Sequence, residues 1–168
     1  MHIVLCGMMG CGKTTIGKAL SARLQMPWQD TDDEIVAKHG AIAEIFNRFG
    51  EARFREIETS VLQELLQKER SVLSVGGGLV LRQENVALIK EKCVVIFLHA
   101  TVETLERRLC VDTSRPLLQG DTPLFDRIQA LLKERAPIYE SVADFTVTVD
   151  KKSVSEIVEE IVSIMKEK

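Results

Sequence analysis

A run of eight residues near the start of the chain limits its fold more than any other feature. Gly7-Met8-Met9-Gly10-Cys11-Gly12-Lys13-Thr14 follows a short apolar run, Ile3-Val4-Leu5-Cys6, and precedes a helical stripe of Ile16, Ala19, Leu20 and Leu24. The pattern G-x-x-x-x-G-K-[ST] carries meaning only in that setting, with a buried strand before it and a helix after it. Glycines let successive backbone N–H groups turn inward toward an anion. The helix start adds a partial positive charge. Lys13 supplies a point charge to outer phosphates, and the Thr14 hydroxyl is suited to Mg²⁺. The loop therefore predicts binding of a nucleoside triphosphate.

The rest of the chain predicts the frame. Apolar strand-like runs at Ile3–Cys6, Ser71–Val75, Val94–Leu98 and Phe145–Val149, with a short strand ahead of Asp30, alternate with helical stretches. These helices are expected over Thr14–Leu24, Ile35–Phe49 with a break at Gly40, Glu51–Leu66, Val102–Leu109, Leu124–Ala136 and Ser153–Lys166, with Ser153 as N-cap. Such alternation predicts an α/β fold, a three-layer sandwich around a central parallel five-stranded sheet. Ligands of such sheets bind at the carboxyl ends of the strands. The segments Gly7–Thr14, Asp30–Asp32 and Gly76–Gly78 all follow strands and are expected to converge on one rim. With 168 residues, a single domain is expected.

Composition excludes several classes. Lys+Arg is 22 and Asp+Glu 25, so the formal charge is −3 and no broad basic surface for nucleic acid is expected. Residues are 45% hydrophobic, which argues against disorder. No apolar run approaches the ~20 residues of a membrane span. The four cysteines, Cys6, Cys11, Cys93 and Cys110, form no C-x-x-C pair, which argues against a zinc site and suits a reduced, cytoplasmic protein. Cys6 and Cys93 read as small core residues. For Cys11 two readings are open: a small filler, or a thiol activated at a helix N-terminus and shielded by ATP.

Further motifs point to a second substrate. Asp30-Thr31-Asp32, if extended, turns both carboxylates to one face. One then serves a metal shell and the other an acceptor hydroxyl, although a solvated helix-capping run also fits because Asp33 and Glu34 continue it. Arg55 and Glu58 stand i, i+3, so Glu58 can orient the guanidinium. Gly76-Gly77-Gly78 allows close backbone approach to a ligand. Arg115 lies in a polar loop that can close over phosphates. Arg135 can complement a helix C-terminus or bind a carboxylate bidentately. No N/T-K-x-D element reads guanine, and Ser71–Val75 ends in glycines rather than a metal-binding Asp. A small-molecule kinase is the remaining reading.

Taken together, Gly7–Thr14, Asp30-Thr31-Asp32, Phe54-Arg55-x-x-Glu58, Gly76-Gly77-Gly78, Arg115-Pro116-Leu117 and Arg135-Ala136-Pro137-x-Tyr139 resemble, in order and spacing, the shikimate kinases. The resemblance spans essentially the whole chain. It implies a P-loop fold like that of the nucleoside monophosphate kinases and ATP-dependent phosphorylation of the 3-hydroxyl of shikimate, on the route to chorismate and the aromatic amino acids. It implies a monomer with ATP and shikimate as partners and Mg²⁺ as cofactor. It further implies that Gly10, Cys11, Gly12, Lys13, Thr14, Thr15 and Arg115 meet ATP, with Thr14 and Asp30 on the metal side. Asp32, Arg55, Gly76, Gly77, Gly78 and Arg135 would meet shikimate, and Asp32, Lys13 and Arg115 would serve catalysis. Residues 35–60 resemble the substrate-binding subdomain and 112–123 the lid. One departure stands out. Family members often carry an Arg near the adenine between the last strand and helix, and this chain has Lys151-Lys152, which leaves Arg107 or Arg108 as further candidates. Two alternatives stay open here: another small-metabolite kinase such as a gluconate kinase, and a non-catalytic nucleotide-binding relative.

Overall fold

The computed structural model describes residues 1–111 and 120–166. The first strand, β1 (His2–Cys6), is buried along its whole length, as a central parallel strand must be when helices cover both faces. It pairs with β3 (Val72–Ser74) on one side and β4 (Cys93–His99) on the other. Strand β2 (Trp28–Asp30) flanks β3, and β5 (Phe145–Thr148) flanks β4. All four pairings are parallel and the order is β2-β3-β1-β4-β5. The order reverses direction beside β1, so a crevice opens at its carboxyl end.

Seven helices are described: α1 (Lys13–Leu24), α2 (Thr31–His39), α3 (Ile42–Leu65), α4 (Gln83–Lys92), α5 (Val102–Leu109), α6 (Leu124–Val142) and α7 (Val154–Lys166). Helix α1 packs on α7 and β3, while α4 and α6 pack on β4, α5 on α6 and α3 on α4. These two groups form the outer layers. The core between them includes Ile3, Leu5, Leu20, Leu73, Ile96, Phe97 and Ile161, all buried. Ser153 caps α7 as expected: its Oγ accepts from the Glu156 N–H at 3.2 Å, and the Glu156 carboxylate accepts from the Ser153 N–H at 2.7 Å.

Three expectations need correction. Asp30-Thr31-Asp32 is not an extended segment. Asp30 ends β2 and caps α2, its Oδ1 accepting from the Asp32 N–H at 2.9 Å, so Thr31 and Asp32 already lie in the helix. Asp32, Asp33 and Glu34 then occupy the first turn, where negative charge suits the helix dipole. Helix α6 does not stop near Ala136 but runs through Pro137 to Val142. A proline there removes one backbone donor without ending the helix, because Tyr139 and Val142 are buried in the core. Helix α4 was not expected at all. Its Asn85 is fully buried and donates to the Leu79 carbonyl at 2.8 Å, tying the helix to the short 3₁₀ turn Leu79–Leu81. The expected break at Gly40 is present, and a further kink at Gly50 divides α3.

Gly17, in the middle of α1, illustrates how tightly the sheet and helix meet. A Cβ there would stand 2.6 Å from both Ser74 Oγ and Trp28 Nε1. Glycine to alanine in a helix normally gains about 1 kcal/mol. Here overpacking reverses the sign, and Gly17→Ala is expected to lower stability by ~1–3 kcal/mol, read as a lower urea midpoint at unchanged slope.

Candidate active site

The loop after β1 reaches α1 through Gly12, whose φ of 102° is a left-handed conformation that favours glycine. Lys13 folds across the loop, its Nζ donating to the carbonyls of Gly7 at 2.8 Å and Met8 at 3.0 Å. The Thr14 hydroxyl, one residue on, donates to Asp30 Oδ2 at 3.1 Å. Burial pushes the Asp30 carboxyl above the usual range, against the pull of the Asp32 N–H and the Thr14 hydroxyl. Phosphate loop and D-T-D segment thus meet through one hydrogen bond between two oxygen side chains.

A second set of charges gathers on the other side of the cleft. Arg55 donates to Glu58 at 2.5 Å and to Glu51 at 3.2 Å. Glu58 is 1% exposed. Burial lifts its carboxyl above the ordinary range, Arg55 opposes that lift, and nearby Asp32 adds to it. Arg135, on α6, is 5% exposed and its Nε has no hydrogen-bond partner among the described residues. Tyr139, one turn on, is fully buried and donates to the Gly77 carbonyl at 2.6 Å, and burial raises its phenol far above the ordinary value.

The glycine turn lets these groups close in. A Cβ at Gly76 would lie 2.9 Å from Asp32 Oδ1 and 3.0 Å from Glu58 Oε1, and one at Gly78 would overlap the Arg55 guanidinium. The Gly76 N–H donates to Thr31 Oγ1 at 3.0 Å, which fastens the turn to the D-T-D segment. Phe46 and Phe54, with ring centroids 4.6 Å apart, supply an apolar wall.

These two sets of groups border one cleft of about 950 Å³, with Tyr139 and Thr31 behind its lining. Of the residues expected at the site, Gly10, Gly12, Lys13, Thr14, Thr15, Asp30, Asp32, Arg55, Gly76, Gly77, Gly78 and Arg135 line it. Cys11 stands apart: its side chain is buried beneath the loop and its N–H donates to the Met8 carbonyl at 3.2 Å. Arg115 and residues 112–119 of the expected lid lie outside the described residues. Of the residues considered for the adenine, Arg108 and Lys152 line the cleft. Arg108 donates to the Gly10 carbonyl at 3.1 Å and Lys152 pairs with Glu160 at 2.6 Å. Tyr139 and Phe46 are further residues of the site that sequence reasoning does not single out. The Tyr139 signal was present in R-A-P-x-Y, but only the folded chain shows that its hydroxyl holds Gly77.

A glycine-lysine loop at the carboxyl end of the central strand, facing an acceptor cleft across a β2-β3-β1-β4-β5 sheet, defines a P-loop kinase with the nucleoside monophosphate kinase-like fold. The comparisons with known proteins agree and narrow the class. The shikimate kinase family profile matches residues 9–166. A shikimate kinase from Thioalkalivibrio sulfidiphilus is 41% identical over 161 residues, covering 95% of this chain and 84% of that relative. The solved shikimate kinase from Acinetobacter baumannii in complex with shikimate superposes with a TM-score of 0.94 at 36% identity, covering 99% of this chain and 93% of that one. The chain belongs to the shikimate kinase family. A gluconokinase from Sinorhizobium meliloti shares the fold at a TM-score of 0.65 and 19% identity, covering 99% of this chain and 91% of that one.

The burial pattern decides between the two readings of the loop cysteine in favour of a filler. Cys6 and Cys93 are buried, and burial pushes both thiols up to about 12, while Cys110 is exposed. Iodoacetamide is therefore expected to label Cys110 first in the native protein, read by peptide mass. Labelling of Cys11 at a comparable rate would reverse the assignment.

Proposed function

We propose that the chain transfers the γ-phosphoryl group of ATP to the 3-hydroxyl of shikimate. The observation that carries this reading is the convergence of Arg55, Arg135 and Asp32 about Gly76–Gly78, in the cleft that the phosphate loop enters. Shikimate has one ring carboxylate and three hydroxyls. Two guanidinium groups match the carboxylate, since the planar fork of arginine pairs with it bidentately. The Asp32 carboxylate accepts from ring hydroxyls. Glu58 holds Arg55 in place, and Tyr139 holds the Gly77 peptide.

On the nucleotide side, loop N–H groups and Lys13 receive the phosphates, with Lys13 leaving the Gly7 and Met8 carbonyls it now bonds. Arg108 and Lys152 flank the end of the cleft where the base would lie. The donor set fits Mg²⁺. Thr14 and Asp30 offer oxygen ligands, and no three His, Cys, Asp or Glu side chains converge on a metal cage among the described residues. Mg²⁺ favours such sparse protein ligation, keeping waters and phosphate oxygens as its other ligands. Thr14 and Asp30 would hold it, and when bound it would neutralise charge on the β- and γ-phosphates.

Asp32 orients the acceptor hydroxyl toward the phosphate and receives its proton. A loose phosphoryl-transfer transition state asks more of positioning than of basicity, and both roles need Asp32 ionised. Residues 35–60 act as the acceptor-binding subdomain, Phe46 and Phe54 packing against the ring. We also infer that the protein acts as a cytoplasmic monomer.

The reading is tested by ADP release with shikimate, gluconate and quinate as acceptors. Stimulation by shikimate is expected, and its absence would refute the reading. Arg135→Ala is expected to raise the KM for shikimate at least ~10-fold, since a charge-assisted hydrogen bond contributes ~1.5–3 kcal/mol, with the KM for ATP little changed. Asp32→Asn is expected to lower kcat by ~10²-fold or more while a fluorescent nucleotide still binds.

A further inference from the structure

We propose that Trp28 is a positioning residue for phosphoryl transfer, acting through a hydrogen-bond chain that joins the acceptor strand to the first turn of the phosphate-loop helix. The indole Nε1–H of Trp28 donates to Ser74 Oγ at 3.0 Å. The Ser74 hydroxyl then donates to the Lys13 carbonyl at 2.9 Å. Each hydroxyl has a single proton, so this order is the one in which all three groups are satisfied. Ser74 is 1% exposed, and a buried hydroxyl oxygen of this kind needs its donor.

The geometry explains why the chain bears on the reaction as well as on folding. Trp28 and Asp30 are two residues apart on β2 and so face the same side, toward α1. Asp30 meets Thr14, and Trp28 reaches Lys13 by way of Ser74. Register pairs Trp28 with Val72 and Asp30 with Ser74, so the relay runs along the join between β2 and β3. Gly17 leaves the space it needs, and the Lys18 ammonium lies 4.7 Å from the Trp28 ring centroid, over its face. Lys13 serves the phosphates, while β2 delivers Asp30 and, two residues beyond it, Asp32.

The inference rests on the function proposed above. Thr14 is there assigned to the metal, and a hydroxyl that turns to a metal no longer donates to Asp30. The Trp28–Ser74–Lys13 chain does not involve that hydroxyl and persists through the change. It keeps the distance between Lys13 and the acceptor carboxylate set while the nucleotide is bound. A small misplacement of reacting groups is enough to slow a positioned reaction.

The chain contains one tryptophan, so its emission reports this site alone. In the wild-type protein, titration with Mg·ADP in the absence of acceptor is expected to leave Trp28 emission unchanged, because the chain persists. In Ser74→Ala, where the indole N–H loses its partner, the emission is expected to respond to the nucleotide. Trp28→Phe, which keeps the aromatic packing and loses the N–H, is expected to lower kcat about fivefold, with the KM for shikimate unchanged within twofold. Ser74→Ala should do the same, and the double variant should lose no more than either single one. A wild-type emission that shifts with nucleotide as far as that of Ser74→Ala, additive losses in the double variant, or a fall in kcat that only tracks the fraction unfolded in a urea titration would each overturn the proposal. Shikimate-dependent turnover of the wild-type enzyme is the separate control for the proposed function. The nucleotide titration does not depend on it.

Discussion

The uncapped head of α1 is the constraint on which the rest of the structure depends. A helix start leaves backbone N–H donors, and here Gly12 occupies the N-cap position and makes no side-chain cap bond. Such donors at the end of a glycine loop suit an anion. The loop must also be held rigidly enough not to collapse onto its own donors. The fully buried β1 before it, paired on both sides, provides the anchor. Helix α1 behind it is braced on β3 and α7. The acceptor residues are then tied to this fixed point rather than built independently, through Thr14–Asp30, Thr31–Gly76 and Ser74–Lys13.

Much of this was legible in the sequence because its signals are local. An apolar run, a glycine loop and a helical stripe in succession define β1 and α1 without tertiary information. The same holds for α5, expected and observed over Val102–Leu109, and for the Ser153 cap. The errors have physical causes. Asp30-Thr31-Asp32 follows a strand and so suggests an extended segment, yet the acidic run that continues it is a helix-start signal, and the helix-capping alternative is the one the structure adopts. Helix α4 was missed because residues 83–92 are largely polar, and its buried Asn85 faces a carbonyl rather than an apolar neighbour. Pro137 suggested an end to α6, and tertiary packing of Tyr139 overrode it. The spacing of Arg55 and Glu58 revealed their pairing, but no spacing rule brings Arg135, some eighty residues on in the chain, to the same glycine turn.

The electrostatics turn on the same cluster. With a formal charge of −3, the protein as a whole does not attract anions, so attraction must be local. Around the glycine turn, Arg55 and Arg135 stand against Glu58, Asp32 and Glu51, so no excess positive charge waits for an acceptor. Arg55 is already committed to Glu58 and Glu51, whereas Arg135 keeps a buried Nε with no partner among the described residues. A buried guanidinium donor without a partner is unfavourable, and an anion that reached it would relieve that cost. Under the function proposed above, specificity for a carboxylate would arise from the protein's own unfinished hydrogen bonding rather than from excess positive charge.

The burial of Glu58 follows from that division of labour. Removing one partner of a buried ion pair costs ~3–5 kcal/mol, so Arg55 stays paired with Glu58. Held at 2.5 Å by a carboxylate that is itself 1% exposed, it presents a fixed fork beside Gly78, where even one Cβ would collide with it. The lift that burial gives the Glu58 carboxyl is opposed first by Arg55 and then by Arg135 farther off. The two arginines thus offset part of the lift that burial gives Glu58, and Glu58 in turn holds Arg55. Each charge is tolerated because the others are present, which is why the acceptor site is compact and why its glycines leave no room for a side chain between them.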